Sequence, residues 1–155
     1  MLRFQSAQSR QSLAEGLAEY YMAFPGLKRG ASLSPAAQAF FCSHDAVHVL
    51  YGCGTSMPDE AVVKVASIFG TTGGLSVLKG YALHESLDIY RRLPLRSTLA
   101  AILSAPYLAA RTMWHCARQR GKWPWAQHEQ YAATPLMQLR GEFGIKVAHA
   151  TTAVA

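Results

Sequence analysis

The chain holds six histidines and nine carboxylates, and one segment gathers them at a spacing that chemistry can use. In His44-Asp45-Ala46-Val47-His48, two imidazoles stand four residues apart with a carboxylate between them, and Glu60 follows twelve residues after His48. On a helix, positions i and i+4 share a face one turn apart, so both imidazoles can point at a single ion. Asp45, three residues before His48, completes a compact triangle on the helix surface. The intervening GCGTSMP reverses the chain, and Glu60 then falls in the first turn of an antiparallel neighbour that can present it to the same spot. His44, Asp45, His48 and Glu60 thus make a divalent-metal set of two imidazoles and two carboxylates. Zinc suits that nitrogen and oxygen mix, and iron or manganese fit it too.

The bland alternative is a pair of core or surface histidines with ordinary hydrogen-bonded partners. The company counts against it, because Asp45 is the only acid between Glu19 and Asp59 and falls inside the pair. Two named motifs fail on residues. A zinc protease of the HExxH type needs Glu directly after the first His as general base, and that place holds the shorter Asp45 with no third ligand at matching spacing. Phosphohydrolases built on an HD doublet use a His well upstream, and no His precedes His44. Elsewhere, His84, Glu85 and Asp88 lie near one another on a helical pattern and read most simply as a solvated face. His115 and His128 carry no spacing argument. Cys42 and Cys53 flank the histidine helix away from ligand spacing and read as small apolar residues.

The elements that position this set follow from periodicity and breakers. Leu13, Leu17, Tyr20, Tyr21 and Phe24 recur at helical spacing until Pro25-Gly26. Ser34-Pro35 is an N-cap and first-turn pair, and the pattern then runs without a breaker to Gly52, which predicts a helix over Pro35 to Tyr51. A third helix starts near Pro58, with Val62, Val65, Ala66 and Phe69 as its core stripe, and closes at Gly70. A fourth is expected from about Leu75 to Tyr90, weakened by Gly80. Thr98 to about Arg120 reads as one helix kinked at Pro106, or two joined there, and a short helix falls near Thr134 to Phe143. No strand-type alternation and no internal repeat reaches useful length. The expectation is an all-α, single-domain bundle of about six helices, with residues 1–33 as an N-terminal helix and loop, 34–145 as the metal-binding helical domain and 146–155 as a flexible tail. The first residues are expected to be exposed and frayed.

Composition narrows the setting. With 155 residues, 50% hydrophobic and 15% charged, the chain can bury a large core, which excludes disorder over most of its length. Three cysteines without CxxC spacing point to a reducing compartment. The net charge of +6 is local: Arg91 to Lys122 carries seven basic residues and no acid. That stretch also holds the apolar run from Ser97 to Ala110 and leads into Trp114, Trp123 and Trp125. The run falls short of the ~20 residues that cross a bilayer. Basic and aromatic side chains beside an apolar helix suit an anionic membrane surface. Nucleic acid is not an expected partner, for want of an aromatic strand platform or a basic recognition helix.

HDxxH followed by eleven residues and Glu, in HDAVHVLYGCGTSMPDE, resembles the signature of the ubiquinone (coenzyme Q) biosynthesis family named for the fourth of the Coq proteins. FGTTGG after the Glu helix, Trp114, Gly121 and PLMQLRGEFGI extend the resemblance over about Ser34 to Ile145. The chain departs from the family in carrying Asp59 where a small residue is usual, and in a shorter N-terminal portion. The resemblance implies a mostly helical protein of ubiquinone production in which His44, Asp45, His48 and Glu60 bind the metal. It implies a prenylated quinone precursor as ligand, peripheral attachment to membranes, and association with other ubiquinone-pathway enzymes. The implied reaction is loss of the ring carboxylate with hydroxylation at that carbon, and the alternative is a non-catalytic scaffold that binds the prenyl-quinone lipid. The implied location is cytoplasmic and peripheral to the membrane, or the mitochondrial inner membrane in a eukaryote. A metal-dependent hydrolase outside this pathway is a third reading.

Overall fold

The fold is built around one helix whose second half has no solvent face. In the computed structural model, which describes residues 1–27, 33–82 and 95–148 (backbone alone for 95–105), α2 (Pro35–Tyr51) occupies the centre. Ser34 caps it by accepting from the Ala37 N–H at 3.3 Å, and Pro35 fills the first turn, where an amide hydrogen has no partner to lose. Gly52 ends it with φ 68°, a left-handed conformation that side chains with a Cβ resist. Every residue from 43 to 51 is buried. A helix surrounded on all sides must carry its polar residues in satisfied positions, so the burial of His44, Asp45 and His48 already marks them out.

α1 (Leu13–Ala23) and α3 (Met57–Phe69) flank α2. α1 opens with a reciprocal cap: the Glu15 N–H donates to Ser12 Oγ at 3.2 Å and the Ser12 N–H donates to the Glu15 carboxylate at 2.7 Å. α3 buries Val62, Val63 and Ala66, whereas Phe69 is 43% exposed and Val65 only half-buried. The expected stripe is therefore rotated, because α3 packs between α2 and a second long helix, α5 (Leu95–Ala117). α5 runs through Pro106 as one helix. Before it, a 3-10 turn at Gly74–Ser76 leads into the short α4 (Val77–Tyr81), and the rest of the expected fourth helix lies outside the described residues. α6 (Leu136–Phe143) closes the bundle, with Gly144 at φ 70° behind it. Among the described residues there are six α-helices and no strand, only two isolated bridges, so the fold is a single-domain all-α bundle as expected.

Two expectations are corrected. The first residues are not frayed: Phe4 sits in a 3-10 turn (Arg3–Gln5) with no exposed surface. The cause is Arg140 of α6, which donates to Phe4 O and Ser6 O at 2.6 Å each and to Val49 O at 2.9 Å and Leu50 O at 2.8 Å. One guanidinium thus ties the N-terminal turn to the carbonyl end of α2, where a cation also opposes the helix dipole. Nor do the three tryptophans form a surface group. Trp123 is wholly buried, its backbone N–H donating to Gly70 O at 2.9 Å, and only Trp114 on α5 is well exposed, at 51%. Val147 is buried and the Ala148 N–H donates to Tyr51 O at 2.8 Å, so packed chain reaches into the segment expected as tail. Among the described residues no helix is long and apolar enough to cross a membrane.

Candidate metal centre

α2 and the first turn of α3 bring three ligand groups to one point. His44 Nε2 and His48 Nε2 are 3.1 Å apart, Glu60 Oε2 is 3.6 Å from His44 Nε2, and Glu60 Oε1 is 3.4 Å from His48 Nε2. Four ligands placed tetrahedrally at ~2.0–2.1 Å from zinc stand about 3.3–3.4 Å from one another. The two imidazole nitrogens stand at close to that separation and each faces one Glu60 oxygen at a similar one, so the donor set fits a divalent ion. The two histidine side chains are 8% and 1% exposed and Glu60 is 28% exposed, so of the three groups the carboxylate is the one that solvent reaches.

The hydrogen bonds behind the imidazoles decide which nitrogen faces the ion. His48 Nδ1 lies 2.8 Å from Gly54 O. A carbonyl only accepts, so Nδ1 carries the proton and Nε2 keeps its lone pair for a metal. His44 Nδ1 lies 3.2 Å from the Tyr81 hydroxyl, which can accept in the same way. The ring planes are clamped as well: Tyr20 stacks on His48 with centroids 5.3 Å apart, and Phe40 stacks on His44 at 5.6 Å and 13°. Gly80 permits the second clamp, since a Cβ there would lie 2.0 Å from the Phe40 ring. The absence of a side chain lets α4 lie flush on α2 and carry Tyr81 to His44.

Protonation states suit ligation. Burial holds the His44 imidazolium below its ordinary pKa, against the opposing pull of Glu60. For Glu60, burial pushes the carboxyl up, but the facing His44 and His48 imidazoles, which donate to it whenever their Nε2 atoms carry a proton in place of an ion, outweigh burial and hold the group below the usual carboxylate range. A neutral imidazole and an ionised carboxylate are the forms that bind metals. Tyr20 has its phenol pushed far up by burial and then by the Asp45 and Glu60 carboxylates, and its buried hydroxyl has no hydrogen-bond partner among the described residues.

Of the residues expected from spacing, His44, His48 and Glu60 converge. Asp45 is buried on α2 and is not among the three whose ligand atoms meet; adjacent helix positions do not share a face. Asp59 does a different task from its neighbour: its carboxylate takes the Ser56 hydroxyl at 2.7 Å, which steadies Ser56 as the N-cap of α3, where Ser56 Oγ accepts from the Asp59 N–H at 3.3 Å. His84, Glu85 and Asp88 lie outside the described residues. All three cysteines are free thiols, Cys42 exposed and the other two buried. Spacing did not single out Tyr20, Phe40, the Gly54 carbonyl or Tyr81. Phe40 had a readable signal, standing four residues before His44 on the same face, whereas Tyr81 had none. Beyond Phe40 lies a groove of about 670 Å³, walled by Pro35, Ala39, Phe40, Val77 and Trp125 and also lined by Lys79 and Glu129. Compared with family models, curated proteins and solved structures, the chain matches none of them.

Proposed function

We propose that the chain is a metal-dependent protein of ubiquinone biosynthesis, with zinc as its ion, acting on a prenylated hydroxybenzoate-type ring. The observation that carries the reading is the convergence of His44, His48 and Glu60 from the HDxxH-x11-E spacing. Three protein ligands are the number found in catalytic zinc sites, which keep a position for substrate or water, whereas structural sites are closed by four. An ion held there would act as a Lewis acid on a phenolate or carboxylate oxygen of the ring. The chain's own part is to fix the His48 tautomer through Gly54, to hold His44 in place through Tyr81, and to offer the unpartnered Tyr20 hydroxyl as a donor in the same buried neighbourhood. In the decarboxylation half the bond from ring carbon to carboxylate breaks, CO2 leaves, and the electron pair stays on the ring carbon, which takes a proton; hydroxylation at that carbon would in addition need an external two-electron oxidant such as dioxygen.

Two surfaces support the choice of a prenylated substrate. The 670 Å³ groove beside Phe40 is largely apolar in its walls and ends one ring away from His44, which suits an isoprenoid chain attached to a head group at the ion. On α5, Tyr107, Met113 and Trp114 are exposed beside Arg111 and Arg118, and Arg118 stacks 3.7 Å over the Trp114 ring. Aromatic, apolar and basic groups on one helix suit peripheral attachment to an anionic membrane, where both the precursor and other pathway enzymes would be met. The decisive experiment incubates zinc-loaded protein with a prenylated hydroxybenzoate and follows CO2 release. His48→Ala is expected to abolish turnover. Undiminished turnover in that variant overturns the catalytic reading, and precursor binding without any turnover by the parent favours the lipid-binding scaffold.

A further inference from the structure

A second cluster of chemically active side chains lies where the later turns of α5 meet the segment after α6, and it shares no residue with the metal centre. It surrounds a cavity of about 250 Å³ lined by Arg111, His115, Arg140 and Lys146, with Ile145 and Val147. No carboxylate lines it. Arg140 is 5% exposed and spends its donors on four backbone carbonyls, so its charge is held in the interior without a carboxylate counter-ion. A charge buried in this way is weakly screened and projects into the neighbouring space. Arg111 and Lys146 are exposed and make no ion pair among the described residues. His115 carries a buried Nδ1 with no hydrogen-bond partner. Burial, and then Lys146, Arg111 and Arg118, hold its imidazolium below the ordinary value, which is the mark of a site with surplus positive potential.

We propose that this cavity binds a phosphate-type oxyanion, either a soluble phosphate or phosphate monoester, or the phosphate head group of a lipid. Three formal positive charges surround it, so a carboxylate would leave two uncompensated, whereas a phosphate monoester dianion leaves one. The donors are also of the types that take a tetrahedral oxyanion: a planar guanidinium fork, an ammonium and a ring N–H. At ~30 Å³ per water-sized group the cavity holds roughly eight such groups, more than the oxyanion alone. A smaller recess of about 70 Å³, walled by Tyr51, Val62 and Leu108, shares Arg111, His115 and Lys146 and provides apolar space for the carbon side of an ester. The site uses neither the ion nor the quinone chemistry, so it stands or falls independently of the function proposed above.

The test titrates inorganic phosphate, at constant ionic strength and with chelator present, into the full chain and follows binding by calorimetry and amide NMR shifts. Saturable binding is expected. Arg111→Gln and Lys146→Gln, both at exposed positions, are each expected to weaken it roughly tenfold, and Lys122→Gln, which removes the same charge outside the cavity, to leave it unchanged. Absence of saturation, or equal weakening by Lys122→Gln, overturns the proposal. A parallel arm measures binding to phosphatidylcholine vesicles with and without phosphatidic acid. If only the two cavity substitutions reduce binding to the acidic vesicles, the ligand is the lipid head group. If inorganic phosphate discriminates between the variants while vesicle binding falls equally in all three, the ligand is soluble.

Discussion

His48 is the most constrained side chain in the metal centre: its ring is stacked by Tyr20, its Nδ1 proton is held by Gly54 O, and only Nε2 is left to act. Asp45 and Glu60 invite a sharp comparison, because both are carboxylates of the same signature but only Glu60 faces the imidazoles. Glu60→Gln is expected to weaken zinc binding by a hundredfold or more, since it removes a charged ligand, while Asp45→Asn keeps one ion per chain. Competition with a chromophoric chelator, together with elemental analysis, reads both. Loss of the ion from the Asp45 variant would show a four-ligand site. At this scale the sequence was legible wherever the i, i+4 rule applies, which covers His44, His48 and, unnoticed, Phe40. Asp45 lies outside the converging three, since neighbours along a helix do not share a face.

At the scale of elements, α2 was readable from end to end, because Ser34, Pro35 and Gly52 are local signals whose effect does not depend on distant neighbours. α4 was not. Gly80 reads as a weak point by propensity, at ~1 kcal/mol relative to alanine, yet its place against the Phe40 ring makes the missing side chain a requirement. The two effects oppose each other, and the contact wins: the methyl group would overlap the ring, and overpacking of this kind costs typically ~1–3 kcal/mol. Gly80→Ala is therefore expected to displace α4, withdraw Tyr81 from His44 and weaken zinc binding by roughly tenfold, the low end for loss of a group that orients a metal ligand. Isotherms of zinc binding alongside circular dichroism check it. Unchanged affinity would mean that Tyr81 does not support the site.

For the whole molecule, Arg140 is the strongest single tie, since it joins the N-terminal turn, the end of α2 and α6. Burial lowers its pKa to about 10, so it stays charged at neutral pH, and the four carbonyls are what hold that charge. Arg140→Met keeps much of the apolar stem but leaves buried carbonyls short of donors, at ~1–3 kcal/mol for each group that finds no other partner. A loss of about 3 kcal/mol or more follows, which for a chain of this size lowers Tm by roughly 6–12 °C. Thermal unfolding checks it, and a drop under 2 °C would mean that solvent replaces the guanidinium without penalty.

By itself the sequence determined the all-α class, the limits of α2 and the pairing of His44 with His48, because these depend on local periodicity and on capping residues that act within a turn. It also marked Glu60 as the distant carboxylate, since one chain reversal is short enough to be read. Only the tertiary structure decided that Asp59 binds the Ser56 hydroxyl while Glu60 faces the imidazoles, that Trp123 belongs to the core, that the Gly54 carbonyl fixes the His48 tautomer and Tyr81 meets His44, and that Arg111, Arg140 and Lys146 share a cavity. Each of these depends on groups brought together from separate helices. Their separation along the chain carries no period, and their chemistry appears only once burial removes the water that would otherwise satisfy them.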